Sequence, residues 1–220
     1  MNPISSGESG KIFSLLKNEY GFPKTILNFS NEWELMVAVM LSAQCTDIMV
    51  NNVTSKLFNK YKSINEYADA NILEFEQDIR STGFYRNKTK NIISTAKLIN
   101  NHFGGNLPRS INEMLKLPGV ARKTANVVLG NAFQIFEGIA VDTHVKRLSI
   151  RLGLSSRSDP EKIELDLMKL FNKKDWFQLT YLLIDHGRKI CNAKKPKCDK
   201  CILNKLCPSA FNFSHFQKKE

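Results

Sequence analysis

Apolar residues along this 220-residue chain recur at helical spacing almost from end to end. Val50, Val53, Leu57 and Tyr61 fall on one face of a 3.6-residue repeat, as do Ile92, Ala96, Ile99 and Phe103, then Val145, Leu148 and Leu152, then Leu179, Leu182, Leu183 and His186. No segment alternates apolar and polar residues as a half-buried strand would. The stretch from Trp33 to Leu41 is apolar on every face, which predicts a central, buried helix with neighbours wrapped around it. Local punctuation agrees. Asp159 before Pro160 reads as an N-cap and first helical residue, Asp175 as the cap of "WFQLTYLLIDH", and Gly153 as the residue that ends "THVKRLSIRL". The pattern predicts an all-α fold of ordinary-length helices, with no repeat and no obvious flexible linker.

Composition adds a partner to that picture. A 42% hydrophobic content is enough for one large core or two small ones. Lys and Arg number 32 against 21 Asp and Glu, a formal charge of +11 spread along the chain. A folded domain this basic meets a polyanion, with nucleic acid the leading class; charge that serves only solubility and a membrane-surface helix are the alternatives. No apolar run is long enough to span a bilayer, and the N-terminus lacks the features of a signal or transit peptide. The expectation is a cytoplasmic, nucleoid-associated protein.

Four cysteines close the chain in "CNAKKPKCDKCILNKLC": Cys191, Cys198, Cys201 and Cys207, spaced C-x6-C-x2-C-x5-C. In a reducing compartment such a cluster supplies ligands before disulfides. Zinc sites usually draw on two separated C-x2-C pairs, and this run has one. The compact spacing favours an iron–sulfur cubane and leaves structural zinc, or no metal, as the alternatives. Four thiolates leave no open coordination position, so the site is architectural and the catalyst must lie elsewhere. Lys194, Lys195 and Lys197 sit between the first two ligands, either as a solvated charge cluster or as phosphate contacts. Cys45, in "VAVMLSAQC", reads as a small buried hydrophobe.

The stretch "LPGVARKTANVVLG", residues 117–130, carries the chemistry. A Pro-Gly turn ends the helix "INEMLKL" and opens another at about Val120, with Gly119 free to take a positive φ. Backbone N–H groups of Gly119 and Ala121 then face outward at a helix N-terminus, where phosphate binds without regard to base sequence. Such a unit is a helix-hairpin-helix. Lys123 read alone is a solvated first-turn residue. The dipole, the neighbouring Arg122 and partial burial would together lower its amine pKa, and a neutral amine is a nucleophile. Asp142, in "GIAVDTHVKRLSI", reads as an N-cap that could also hold a developing cationic sugar and accept protons.

Taken in order, the hairpin, the Val-Asp-Thr-His segment and the cysteine tail closely resemble the endonuclease III family of DNA glycosylases with AP lyase activity. The resemblance extends to "LNFSNEWELMVAVMLSAQCTD", "IRSTGFYRNKTKNI" and "IDHGRKICNAKKPKC", and so covers nearly the whole chain. It implies two helical domains flanking a DNA-binding groove: a six-helix barrel with the helix-hairpin-helix at 24–135, and an iron–sulfur cluster domain made of 1–23 and 136–220. It implies a [4Fe-4S] cluster on the four tail cysteines, Lys123 as the Schiff-base lysine and Asp142 as the essential aspartate. Gln44 and Phe84 match the positions that fill the gap when a damaged nucleotide is flipped out of the stack. Gly119, Ala121, Arg122 and the three cluster-loop lysines would bind phosphate.

The implied activity is excision of oxidised or ring-saturated pyrimidines, with β-elimination on the 3′ side of the abasic site. The partner is double-stranded DNA containing damaged pyrimidines or abasic sites, and the protein acts as a monomer. Monofunctional adenine or mismatch glycosylases of the same superfamily are rivals that would lack the lysine. A non-enzymatic iron–sulfur DNA-binding protein would leave Lys123 and Asp142 idle. Three departures from the family pattern stand out. Ala121 replaces the hairpin's second glycine, Phe84 stands where leucine is common and would make a larger wedge, and Cys45 replaces a usual alanine.

Overall fold

A computed structural model of the chain describes residues 6–216. Among these residues there are only helices and turns, as the periodicity requires. The chain divides into two compact units, one of Ile26–Glu137 and the other of Met1–Thr25 with Gly138–Glu220.

In the Ile26–Glu137 unit, helix α2 (Glu32–Leu41) occupies the centre, and Leu35, Met36, Val37, Ala38 and Leu41 are fully buried. It packs against α3 (Asp47–Lys60), α6 (Tyr85–Phe103) and α8 (Arg122–Phe133). The shorter α4 (Ile64–Ala68), α5 (Ile72–Asp78) and α7 (Ile111–Met114) complete the unit. Trp33, Tyr61, Tyr67 and Phe75 form an aromatic group with ring centroids 5.2–5.8 Å apart, the Trp33–Tyr67 and Tyr67–Phe75 pairs edge to face and the other two tilted. Helix starts are individually capped. Ser63 accepts from the Glu66 N–H while Glu66 reaches back to the Lys62 N–H, and Asn31, Thr46, Asn71 and Ser110 cap their own helices.

Three local expectations shift in this unit. The helix expected over "INEMLKL" is a single turn, after which Leu115 to Leu117 run through tight turns that close with Leu117 N–H donating to Met114 O. The following helix opens at Arg122 instead of Val120, because Ala121, at ψ 169°, is still extended and takes the N-cap position. Cys45 is half-buried, not fully so: α2 ends at Leu41, and Cys45 lies in the connecting loop, packed on the core from its edge.

The second unit consists of α1 (Ser6–Tyr20), α9 (Thr143–Arg151), α10 (Pro160–Leu170) and α11 (Trp176–Lys189). Helix α11 packs on both α1 and α9 around Ile12, Leu16, Leu148, Leu179, Leu182 and Leu183, all fully buried. Asp159 caps α10 by accepting from the Lys162 N–H at 3.0 Å, with Pro160 at the first helical position. Gly153, at φ +72°, closes α9 together with the Leu154 N–H, which reaches Ser149 O at 2.8 Å. Asp175 does not cap α11. It ends a 3-10 turn, Lys173–Asp175, that runs straight into the helix, and its side chain makes no capping bond there.

One turn in the Ile26–Glu137 unit sets the position of the hairpin. Gly119 has φ +74°, and a Cβ there would stand 2.5 Å from Nδ2 of Asn91 on α6; the Thr95 hydroxyl, also on α6, donates to Pro118 O at 2.9 Å. Gly104, at the end of α6, has φ +59° but open space around it. Gly119→Ala is therefore expected to cost about 1–3 kcal/mol through strain and collision together, and Gly104→Ala clearly less. Thermal unfolding of the two variants side by side separates the collision from the backbone strain.

Candidate active site and cysteine cavity

The hairpin presents backbone donors outward. The first carbonyl used within α8 is that of Ala121, which accepts from the Ala125 N–H, and no side chain caps the helix. Among the described residues the N–H groups of Gly119 and Ala121 have no protein acceptor. Ala121 is extended, at φ −92° and ψ 169°, so a residue with a Cβ sits there without strain. Replacement of the second hairpin glycine is thereby explained. Arg122 is half-buried in the first turn.

Lys123 is exposed, not partly buried as expected. The buried face of α8 is carried by Ala125, Asn126, Val128 and Leu129, and Lys123 lies off it. Its amine is thus open to a ligand at a helix N-terminus, where an anion is favoured.

Asp142 is the N-cap of α9. One oxygen accepts from both the His144 and Val145 N–H groups at 2.8 Å, and the other lies 3.3 Å from Nδ1 of His144. Its side chain is one-fifth exposed, so a carboxylate already anchored by two amides still offers an edge to a ligand.

Gln44 and Phe84 share an uncommon backbone state. Both lie in the left-handed region, with φ of 53° and 48°, and both are exposed, Phe84 at 62%. An exposed aromatic in that region carries backbone strain, and Phe211, at φ 63° and 46% exposed, is a second such residue. Phe84 is also the N-cap of α6, which explains how a residue that would read as core by composition stands outside it.

The four tail cysteines are free thiols that line one cavity, together with Leu148, Leu152, Ile190 and Phe213. Burial pushes the Cys201 thiol up to about 11, with the other three cysteines adding to the effect, and raises Cys207 as well. Buried thiols held this close are poor acids unless a cation takes their charge. Among the described residues no group of three or more His, Cys, Asp or Glu is drawn tightly enough around one point to hold a metal ion. Mononuclear zinc asks for sulfurs about 2.3 Å from a single centre, whereas a cubane needs them set around a larger body. Four thiols lining one cavity are a donor set that suits a soft metal centre.

Sequence reasoning missed the groups that support this cavity. Arg151 donates through Nη1 to Cys191 Sγ at 3.2 Å and to Asn192 O at 2.8 Å, while its guanidinium lies over the Phe213 ring at 4.7 Å. His186 lies on the apolar face of α11 and was read only as part of that face. Its Nε2 is 3.3 Å from Cys201 Sγ and its Nδ1 is 2.8 Å from the Tyr20 hydroxyl. Lys194, Lys195 and Lys197 are exposed on the cluster loop, with the Lys197 backbone N–H tied to Ile190 O.

Comparison with known proteins decides the family. Residues 37–173 match the HhH-GPD superfamily of base excision DNA repair proteins. Endonuclease III of Synechocystis sp. is 50% identical over 200 residues, which is 91% of each chain. Endonuclease III of Bacillus subtilis is 50% identical over 81% of each.

The chain belongs to the endonuclease III family.

A solved structure of a trapped endonuclease III–DNA covalent intermediate, an estranged-adenine complex, superposes with a TM-score of 0.91 at 40% identity, covering 95% of this chain and 98% of that one. The protein is accordingly a DNA glycosylase and AP lyase of base excision repair, all-helical and DNA-binding. No helix among the described residues is long and apolar enough to cross a membrane.

Proposed function

We propose that this protein excises oxidised or ring-saturated pyrimidines from double-stranded DNA and cuts the strand 3′ to the resulting abasic site, with Lys123 as nucleophile and Asp142 as its acid–base partner. The observation that carries the reading is the exposed Lys123 amine, one residue beyond an N-terminal turn whose Gly119 and Ala121 N–H groups have no protein acceptor. A phosphate seated on those amides would bring the sugar of a neighbouring nucleotide to the amine. Arg122 would add charge to that seat, and Lys194, Lys195 and Lys197 would grip a second stretch of backbone.

In this reading the damaged nucleotide leaves the stack, because C1′ of a stacked nucleotide is closed to an amine in the groove. Gln44 would meet the orphaned base through its amide while Phe84 fills the vacated step. The Lys123 amine forms its bond to C1′ as the C1′–N bond to the base breaks, the electron pair leaving with the base. Asp142 offsets the positive charge on the sugar and takes the proton that the amine releases. The C1′–O4′ bond then breaks, O4′ taking the proton back from Asp142 as the nitrogen lone pair forms a protonated imine, which acidifies the C2′ hydrogens. Loss of one of them expels the 3′ phosphate and breaks the strand.

Cys191, Cys198, Cys201 and Cys207 would hold a [4Fe-4S] cluster, which supplies architecture when bound and no step of the reaction. Its support would come from this chain's own groups. The Arg151 guanidinium neutralises thiolate charge at Cys191, and the Leu203 N–H, 3.4 Å from Cys201 Sγ, offers a second donor. The unit holding these cysteines and Asp142 would be the cluster domain, and the Ile26–Glu137 unit the domain that carries the hairpin. The protein would work as a monomer associated with the cytoplasmic nucleoid.

Two substitutions at Asp142 test the assignment by separating its roles. Asp142→Asn keeps an oxygen for the His144 and Val145 N–H groups, so its melting temperature should match the parent. Asp142→Ala loses the cap as well and should be destabilised by about 1 kcal/mol. On a duplex with a single thymine glycol, both should release base more slowly by about 10²–10⁴-fold. Parent-like cleavage by Asp142→Asn would leave the carboxylate with only its cap.

A further inference from the structure

Lys88 lies on the buried face of α6, in register with Ile92, Ala96 and Ile99, and is only 6% exposed. Its ammonium donates to Leu41 O and to Thr82 O, both at 2.8 Å. Among the described residues no carboxylate pairs with it. A buried ammonium with only neutral partners is an expensive choice for a core, where an aliphatic side chain would serve packing better.

The two carbonyls explain the choice. Leu41 is the last residue of α2 and Thr82 the last of the 3-10 turn Arg80–Thr82, so both oxygens are C-terminal acceptors at the negative ends of their elements. One cation caps two chain ends at once. Each of those ends leads within three residues to an exposed side chain held at positive φ: Leu41 to Gln44, and Thr82 to Phe84. The Phe84 carbonyl in turn accepts from the Lys88 backbone N–H at 3.1 Å, so the same residue grips this segment twice. Burial lowers the Lys88 pKa, and the nearby Cys45 opposes that fall.

We propose that Lys88 is the positioning residue for DNA insertion, joining the loops of Gln44 and Phe84 into one rigid pair of prongs through a single buried ammonium. The proposal rests on the reading above that Gln44 and Phe84 enter the duplex. Lys88 does not touch DNA; it fixes the two chain ends so that both prongs arrive together and neither relaxes from the left-handed region when the base stack resists.

A double-mutant cycle on the full-length, cluster-loaded protein tests it. Single-turnover base release is measured on a thymine glycol duplex with enzyme in excess, alongside the fluorescence of a 2-aminopurine placed next to the lesion to report unstacking. Phe84→Ala should slow release by about tenfold, roughly the value of one base–aromatic contact. Lys88→Met should slow it comparably and blunt the fluorescence rise, and the double variant should be no slower than the worse single one. Losses that multiply in the double variant, or parent-like release by Lys88→Met beside a slow Phe84→Ala, would overturn the positioning role and leave the prongs standing. Parent-like release and fluorescence in both Phe84→Ala and Gln44→Ala would instead remove the prongs, and the proposal with them. If Lys88→Met does not fold, Lys88→Gln, which keeps an amide donor without the charge, carries the same comparison.

Discussion

Lys123→Gln is expected to lose strand cleavage by at least ~10³-fold while folding and binding duplex almost as the parent does. The side chain is exposed and contributes nothing to the packing of α8, so its removal leaves no cavity and no unpaired buried group. The amides of Gly119 and Ala121, which belong to the backbone, are untouched, so most of the phosphate contact survives. What disappears is the atom proposed to bond to C1′, and with it the imine that would make the C2′ hydrogens acidic. Gel-shift affinity for an abasic-site duplex should therefore fall by no more than the loss of one cation, whereas the cleaved product falls towards background. A parallel collapse of affinity and cleavage would mean that Lys123 only holds DNA.

Cys198→Ala should have a comparably large effect on a different property. Cys198 is the most buried of the tail cysteines, at 7% exposure, and begins the 3-10 turn that leads to Cys201. Without a metal centre the segment 191–210 has few apolar anchors; Leu203, fully buried, is the main one. Structural metal centres in small domains contribute on the order of 10 kcal/mol, which rivals the 5–15 kcal/mol stability of a whole domain. The variant should be colourless, hold far fewer than the ~4 irons per chain of a cubane, and melt well below the parent. Iron analysis and thermal unfolding check both halves. Arg151→Met should fall between the two, keeping all four ligands but losing the donor to Cys191 Sγ and the contact with Phe213.

Periodicity was a sound guide wherever a helix buries a wide apolar stripe. The run at Trp33–Leu41, apolar but for Glu34 in the first turn, could only be central, and Asp159, Pro160 and Gly153 mark ends through bonds made within a few residues of themselves. Short-range rules failed where the neighbouring structure took over. Asp175 has the residue type of a cap, but the preceding 3-10 turn had already set its backbone. The turn after Met114 was hidden because Leu115 and Leu117 continue an apolar spacing that the Pro-Gly turn interrupts. The site divides in the same way. Four cysteines and a hairpin are legible because their ligands and amides are close in sequence. Arg151 and Cys191 are 40 residues apart, and Lys88 and Leu41 are 47 apart. A lysine in register with Ile92 and Ala96 is nevertheless an anomaly in the pattern, and it is the residue proposed to join the two prongs.

The mechanism turns on the proposed covalent bond between Lys123 and the sugar. The direct measurement is to incubate the protein with an abasic-site or thymine glycol duplex, reduce with borohydride, and map the stable protein–DNA adduct by proteolysis and mass spectrometry. The account predicts one cross-linked peptide containing Lys123, and no adduct from Lys123→Gln. An adduct at another amine, or base release with no adduct at all, would contradict it.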